Sequence, residues 1–86
     1  MIISWDEEAW HDYVDLQNED KKFVKRINTL IKDIERNGTQ GIGKAEPLKY
    51  VEGGWFSRRI DKANRLVFRI KDSKLEILQC KSHYNK

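Results

Sequence analysis

Between Lys21 and Asn37 the apolar residues fall at Phe23, Ile27, Leu30, Ile31 and Ile34, spaced by four, three, one and three. That rhythm follows the turn of an α-helix, about 3.6 residues, so one stripe of the segment is apolar and the rest is charged or polar. A helix of this kind does not stand alone; its stripe needs a second apolar surface to cover it. Asn18-Glu19-Asp20 supplies the break before it and a candidate N-cap, and Asn37-Gly38 supplies the stop. A first helix is expected ahead of it, from about Asp6 to Gln17, with Ala9, Trp10, Tyr13, Val14 and Leu16 mostly on one face. Ser4-Trp5-Asp6-Glu7 has the form of a capping box for that helix, and Trp10 is expected in the core.

Beyond Gly41 and Gly43, which lack the spacing of a phosphate-binding loop and read as turn glycines, the pattern changes from helix to strand. Trp55–Ile60, Arg65–Lys71 and Leu75–Lys81 are each of strand length, separated by Asp61-Lys62-Ala63-Asn64 and by Asp72-Ser73. They read as an antiparallel meander. Alternation places Leu66, Phe68 and Ile70 on one face and Arg65, Val67 and Arg69 on the other, so the apolar face meets the helices and the arginines point away. Arg58 and Arg59, adjacent in a strand, face opposite ways; Arg59 shares its side with Trp55 and Ser57. Ile2 and Ile3 could add a short N-terminal strand. The fold class that follows is α+β: two N-terminal helices packed on one face of a small antiparallel sheet, with the other face free for a ligand.

At 86 residues the chain has material for one hydrophobic core, so residues 1–86 are expected to form a single domain. Hydrophobic residues make up 38% and charged residues 36%, a globular balance, and no run approaches the roughly 20 apolar residues of a bilayer span. The opening Met1-Ile2-Ile3-Ser4-Trp5, followed by three acids, lacks the basic flank and apolar stretch of a secretory signal. Cys80 is the only cysteine. Both features lead to the expectation of a cytoplasmic protein with no membrane partner. With only His11 and His83 beside that cysteine, neither a metal nor a cofactor is expected.

The net charge of +3 conceals an asymmetry. Residues 1–40 carry 6 Lys/Arg against 9 Asp/Glu, whereas residues 41–86 carry 11 against 5. The second half is where a polyanion would bind; the plainer alternative is a solvated basic surface. Cutting RNA without a metal requires a base to take the 2′-oxygen's proton, cations to hold the phosphate, and an acid to protonate the departing 5′-oxygen. Glu46 precedes Pro47, which biases it to extended backbone. Lys49, Arg58, Arg59 and Arg65 are available to a phosphate, His83 and Tyr84 end the last strand, and Trp55 is the better stacking candidate for a base. None is diagnostic alone. An isolated Glu is commonly a solvated loop residue, a C-terminal His a surface group, and Cys80 a small buried residue rather than a nucleophile.

Taken together, Lys44-Ala45-Glu46-Pro47-Leu48-Lys49, Ser57-Arg58-Arg59-Ile60, Asn64-Arg65-Leu66-Val67-Phe68 and His83-Tyr84 resemble the YoeB (Txe) toxins of the RelE/ParE superfamily. Ile3-Ser4-Trp5 and Lys32-Asp33 are also typical, and the resemblance runs in family order from about Ile3 to Tyr84. It implies an mRNA endonuclease working in the ribosomal A site, neutralised by an antitoxin of the YefM (Axe) type and often a homodimer. By motif, Glu46 would be the general base, Arg65 the main phosphate-stabilising cation and His83 the general acid. Lys49 and Arg59 would assist with phosphate, and Tyr84 would position the substrate or the acid.

Departures from the family pattern are small: Asn64 stands where many members have His, Trp55-Phe56 reverses the commoner aromatic order, and Phe68 replaces a frequent Tyr. Asn85-Lys86 extend past a Tyr that is often terminal, which speaks against a role for a terminal carboxylate there. Two other readings stand beside this one. A ParE-like toxin that inhibits a topoisomerase by binding would generally lack the Glu/Arg/His set. A non-enzymatic RNA-binding module would need the basic face and Trp55 but not His83.

Overall fold

The apolar stripe of the second helix is covered by a sheet. The structure, a computed structural model, describes residues 1–41, 43 and 45–82. They run in the order β1 (Ile2–Trp5), α1 (Glu7–Glu19), α2 (Lys21–Asn37), β2 (Glu46–Pro47), β3 (Phe56–Arg59), β4 (Arg65–Lys71) and β5 (Lys74–Gln79). Ile27, Leu30, Ile31 and Ile34 of α2 are buried in one cluster with Leu66, Phe68, Leu75 and Ile77 of the sheet. At roughly 1.5–3 kcal/mol for each such side chain, this layer is the main source of stability. Helix α2 starts where the Asp20 carboxylate accepts from the Phe23 amide at 3.1 Å. It stops at Gly38, whose φ of 63° suits glycine and whose N–H donates to the Ile34 carbonyl at 2.8 Å.

Helix α1 begins later than the capping box suggests. Ser4 lies in β1 opposite Glu76, so its backbone belongs to a sheet ladder and it cannot cap. Asp6 is the cap, with its carboxylate accepting from the Glu8 amide at 3.2 Å. Trp10 is 47% exposed, which corrects its expected place in the core. Ala9 is the residue turned inward, and the next position around a helix points about 100° away, so the indole lies on the flank. There it packs edge-on to Trp5, with ring centroids 5.8 Å apart.

The sheet order is β1-β5-β4-β3-β2. The meander of β3, β4 and β5 is antiparallel as expected, and β2 extends it antiparallel at one edge. At the other edge β1 joins β5 in parallel, with Ile3 opposite Leu75 and Trp5 opposite Ile77, so the sheet is mixed. Helices α1 and α2 carry the chain from one sheet edge to the other. Leu66 and Phe68 are fully buried, but Ile70 is 41% exposed near the end of α2, beyond full cover by the helices. Among the described residues no helix is long and apolar enough to cross a membrane.

Candidate active site

Strand β2 is two residues long, and it pairs Glu46 with Ser57 and Pro47 with Phe56. Proline is tolerated here because β2 is an edge strand and its missing N–H leaves no ladder position empty in the sheet interior. The pairing lines Glu46 up, through Ser57, with Val67 of β4, within reach of the Arg65 side chain two positions earlier in that strand. Arg65 Nη2 lies 3.9 Å from Glu46 Oε1. Ser57 holds the same guanidinium: Arg65 Nε donates to Ser57 Oγ at 2.7 Å, and Nη2 donates to the Ser57 carbonyl at 3.3 Å. Ser57 is 2% exposed while 29% of the Arg65 side chain remains open. The cation is therefore anchored from within and available from without.

Arg65 opens onto a basin of about 380 Å³, lined also by Ser57, Arg59, Val67, Gln79 and Ser82 among others. Arg59 is exposed, and its backbone is fixed on both sides: its N–H donates to the Gly43 carbonyl at 2.8 Å, and its carbonyl accepts from Arg26 Nη2 at 3.1 Å. Gly43 makes that approach possible. Its φ is 80°, and a Cβ there would lie 2.9 Å from Leu30 Cδ2 and 3.2 Å from Arg58 Cβ.

The turn from β3 to β4 closes the basin. Asp61 Oδ1 accepts from the amides of Ala63 at 2.9 Å and Asn64 at 2.8 Å, and the Asn64 side-chain amide donates to both Asp61 oxygens. Partial burial acts to raise the Asp61 carboxyl, but these hydrogen bonds outweigh it and hold the group below the usual carboxylate range. Asn64 Oδ1 in turn accepts from the Ser82 amide at 2.9 Å.

The structure thus brings Glu46, Arg59 and Arg65 to one place. Lys49 is exposed in the turn after β2, and its neighbour Leu48 lines the basin. Trp55 lines a separate hollow of about 270 Å³, with the Arg69 guanidinium over its ring at 4.3 Å from the centroid. Arg69 is held there by the Glu76 carboxylate and by the Gly53 carbonyl at 3.1 Å. The hydrogen bond from Arg69 keeps Glu76 below the usual carboxylate range. His83 and Tyr84 lie outside the described residues.

Arg58 corrects the list of cations available to a phosphate. Its side chain is fully buried, paired with Asp33 and donating to the carbonyls of Gly38 and Gln40. It serves as a bolt between β3 and the end of α2. Cys80 is fully buried too, its thiol donating to the Ala9 carbonyl at 3.4 Å. Burial, helped by the negative charge of Asp12, pushes that thiol up to about 12, so it is no nucleophile at neutral pH.

The family described as YoeB-like toxins of bacterial type II toxin–antitoxin systems matches residues 5–84. The chain belongs to that family. It is 50% identical over 86 residues to a toxin YoeB of Synechocystis, with each chain covered completely. It is also similar to Staphylococcus aureus YoeB in two solved assemblies. In the heterotetrameric YoeB–YefM complex the identity is 46%, the TM-score 0.91 and the coverage 98% of each chain. In the YoeB dimer they are 46%, 0.90 and 98% of each chain.

In this YoeB-like toxin two of the segments that carry the resemblance, those holding Glu46-Pro47 and Arg65-Leu66, lie on either side of β3 and meet at the Arg65–Glu46 pair. Sequence reasoning missed two residues of the site. Ser57 carried a signal, since parity put it on the same face as Arg59. Asn64 stood in a motif segment and at a departure from the family pattern, but its bond to Ser82 joins positions that only the fold brings together.

Proposed function

We propose that this YoeB-like toxin is an endoribonuclease that cuts mRNA in the ribosomal A site by metal-free acid–base chemistry and so inhibits translation. The observation that carries the reading is the Arg65 guanidinium, held by Ser57 and 3.9 Å from the Glu46 carboxylate at the rim of an open basin. A phosphodiester seated on Arg65 would have a carboxylate next to it. In the proposed reaction Glu46 takes the proton of the 2′-hydroxyl, and the 2′-oxygen attacks phosphorus. The bond to the 5′-oxygen breaks, and His83 protonates that oxygen. The products are a 2′,3′-cyclic phosphate and a 5′-hydroxyl end.

Arg65 contributes most when negative charge builds on the non-bridging oxygens, which makes its stabilisation specific to the transition state. Arg59 and Lys49 add positive charge along the RNA backbone, Tyr84 positions substrate or acid, and Trp55 stacks a flanking base. The partner that silences the site is an antitoxin of the YefM type, with the staphylococcal YoeB–YefM complex as support. A homodimer in the cytoplasm is the expected free form, with the staphylococcal YoeB dimer as support for the assembly.

Mapping new RNA 5′ ends on ribosome–mRNA complexes tests the reading. The wild-type chain is expected to cut in the A-site codon, and Glu46→Ala and His83→Ala to lower the rate by about 10²–10⁴-fold each while remaining folded. Near-normal cutting by both variants would remove the assigned roles. Cutting is expected to persist in EDTA on ribosomes shown to be intact after chelation.

A further inference from the structure

We infer that Gln79 reads the base on the 3′ side of the cut and that the base it prefers is adenine. The inference rests on the proposed ribonuclease reading and adds a base preference to it.

The sheet lines up the groups concerned. Glu46 pairs with Ser57, Ser57 with Val67, and Val67 with Gln79, so the four residues form one row across β2, β3, β4 and β5. Residues directly opposite in a ladder turn their side chains to the same face. Ser57, Val67 and Gln79 accordingly line one basin with Arg65. A regular strand would not give this arrangement. Phe68 lies opposite Ile77, which is buried in the core, so in an unbroken register Val67 would meet Leu78 and Gln79 would share the inward face of Ile77. The register instead shifts between Val67 and Phe68, which leaves Leu78 as the extra residue of a β-bulge. A bulge bends its strand and re-aims side chains, here turning Gln79 to the face of Arg65. Leu78 lines the neighbouring hollow with Trp55 and Arg69, so two consecutive residues of β5 border hollows of the outer face.

Along the row the proposed chemistry has a direction. Glu46, the base that takes the 2′-proton, stands at the β2 end, and the Arg65 guanidinium is bonded to the Ser57 hydroxyl, one strand further in, at 2.7 Å. In an in-line displacement the leaving 5′-oxygen departs on the side of phosphorus opposite the attacking 2′-oxygen. With the 2′-oxygen at Glu46 and the phosphate on Arg65, the nucleotide that keeps the 5′-oxygen continues toward β5. Neighbouring strands lie about 4.8 Å apart, so Gln79 stands roughly 10 Å from Ser57 in that direction. Its side-chain amide is partly buried and has no hydrogen-bond partner among the described residues. That amide offers one acceptor and one donor group. Adenine presents the complement at N7 and N6, whereas the same edge of guanine presents two acceptors.

The test is single-turnover cutting of ribosome-bound mRNAs that differ only in the base 3′ of the cut: adenine, guanine or 7-deazaadenine, which lacks N7. Wild type is expected to cut the adenine mRNA about fivefold faster than either of the others. That is the lower end for a bidentate side-chain–base pair and the typical size of one hydrogen bond. Gln79→Ala is expected to bring the adenine to 7-deazaadenine ratio close to one. Gln79→Arg is expected to favour guanine over adenine, because a guanidinium donates to both O6 and N7. Each ratio is taken within one protein, so a variant that folds poorly does not distort it. Equal wild-type rates on adenine and 7-deazaadenine would overturn the inference and leave the ribonuclease reading standing. So would a ratio that Gln79→Ala leaves at its wild-type value. A wild-type chain that cuts none of the three would instead overturn the ribonuclease reading, and this inference with it.

Discussion

Arg65 leans on Ser57: its Nε donates to a nearly buried hydroxyl at 2.7 Å, and the same guanidinium faces Glu46 across 3.9 Å. Because the hydroxyl is shielded from water, a lost partner there is poorly replaced by solvent. Ser57→Ala is expected to lower single-turnover cutting about tenfold, the size of a hydrogen bond to a charged group at about 1.5 kcal/mol. Arg65→Ala is expected to cost about 10²–10³-fold, and Ser57→Thr, which keeps the hydroxyl, to retain most of the rate. Rates measured on folded variants decide it; a Ser57→Ala chain as fast as wild type would show that the hydroxyl does not orient the cation.

Arg58 and Arg59 are adjacent and should fail in different ways. Truncating Arg58 leaves Asp33 and the carbonyls of Gly38 and Gln40 without the guanidinium that joins them. Arg58→Ala is expected to lose about 3–5 kcal/mol in urea denaturation, the range for breaking a buried ion pair from one side. Arg59→Ala, at an exposed side chain, is expected to change stability by no more than about 0.5 kcal/mol but to slow cutting. Equal stability losses would contradict the division of labour.

How much of this was legible in the chain depended on whether the signal was local. The α2 stripe and the alternation in β4 are short-range patterns, so Ile27, Leu30, Leu66 and Phe68 were placed correctly from spacing alone. Trp10 was not, since its large apolar side chain argued for the core while the turn of the helix gave the inward position to Ala9. Ser4 was claimed by a ladder with Glu76, more than seventy residues away, which no capping motif can reveal. Arg58 was the hardest to foresee. Its charge argued for the surface, and only the meeting of β3 with the end of α2 supplies Asp33 and two carbonyls to receive it. Of the site, Glu46 and Arg65 could be named from motif, but their contact required the pairing of β2 with β3.

Cys80 provides a dependence on pH with a defined sign. Its thiol is pushed up to about 12 in the folded chain, against an ordinary value of 9.0. A raised folded value means that the contribution is complete below the ordinary value and is lost as pH climbs from there toward the folded value, because only the unfolded state sheds the proton. Wild-type stability is therefore expected to fall more steeply than that of Cys80→Ala between about pH 9 and pH 11. Urea denaturation at several pH values checks this, and parallel curves would contradict it.

The excess of Lys and Arg over residues 41–86 defines the partner that would silence the site. An acidic, initially disordered antitoxin segment is expected to fold over the basin and cover Arg59 and Arg65. Saturating antitoxin should abolish cutting and raise the melting temperature, as any ligand of the native state does, and added salt should weaken the complex. An unchanged melting temperature would argue that this chain is not its target.

In the proposed reaction the toxin supplies acid, base and cation while the ribosome supplies alignment. The open basin offers few features able to hold free RNA in register, and electrostatic affinity for a single strand weakens with salt. If the A site holds the 2′-oxygen in line with the scissile bond, much of the entropic cost of alignment falls outside the toxin, an effect that reaches about 7–11 kcal/mol in favourable cases. The direct measurement is single-turnover cleavage of one mRNA, free and in a ribosome with an open A site, at equal saturating toxin and physiological salt. Cutting confined to the A-site codon and far faster on the ribosome is the predicted result; equal rates at the same positions on free RNA would contradict it.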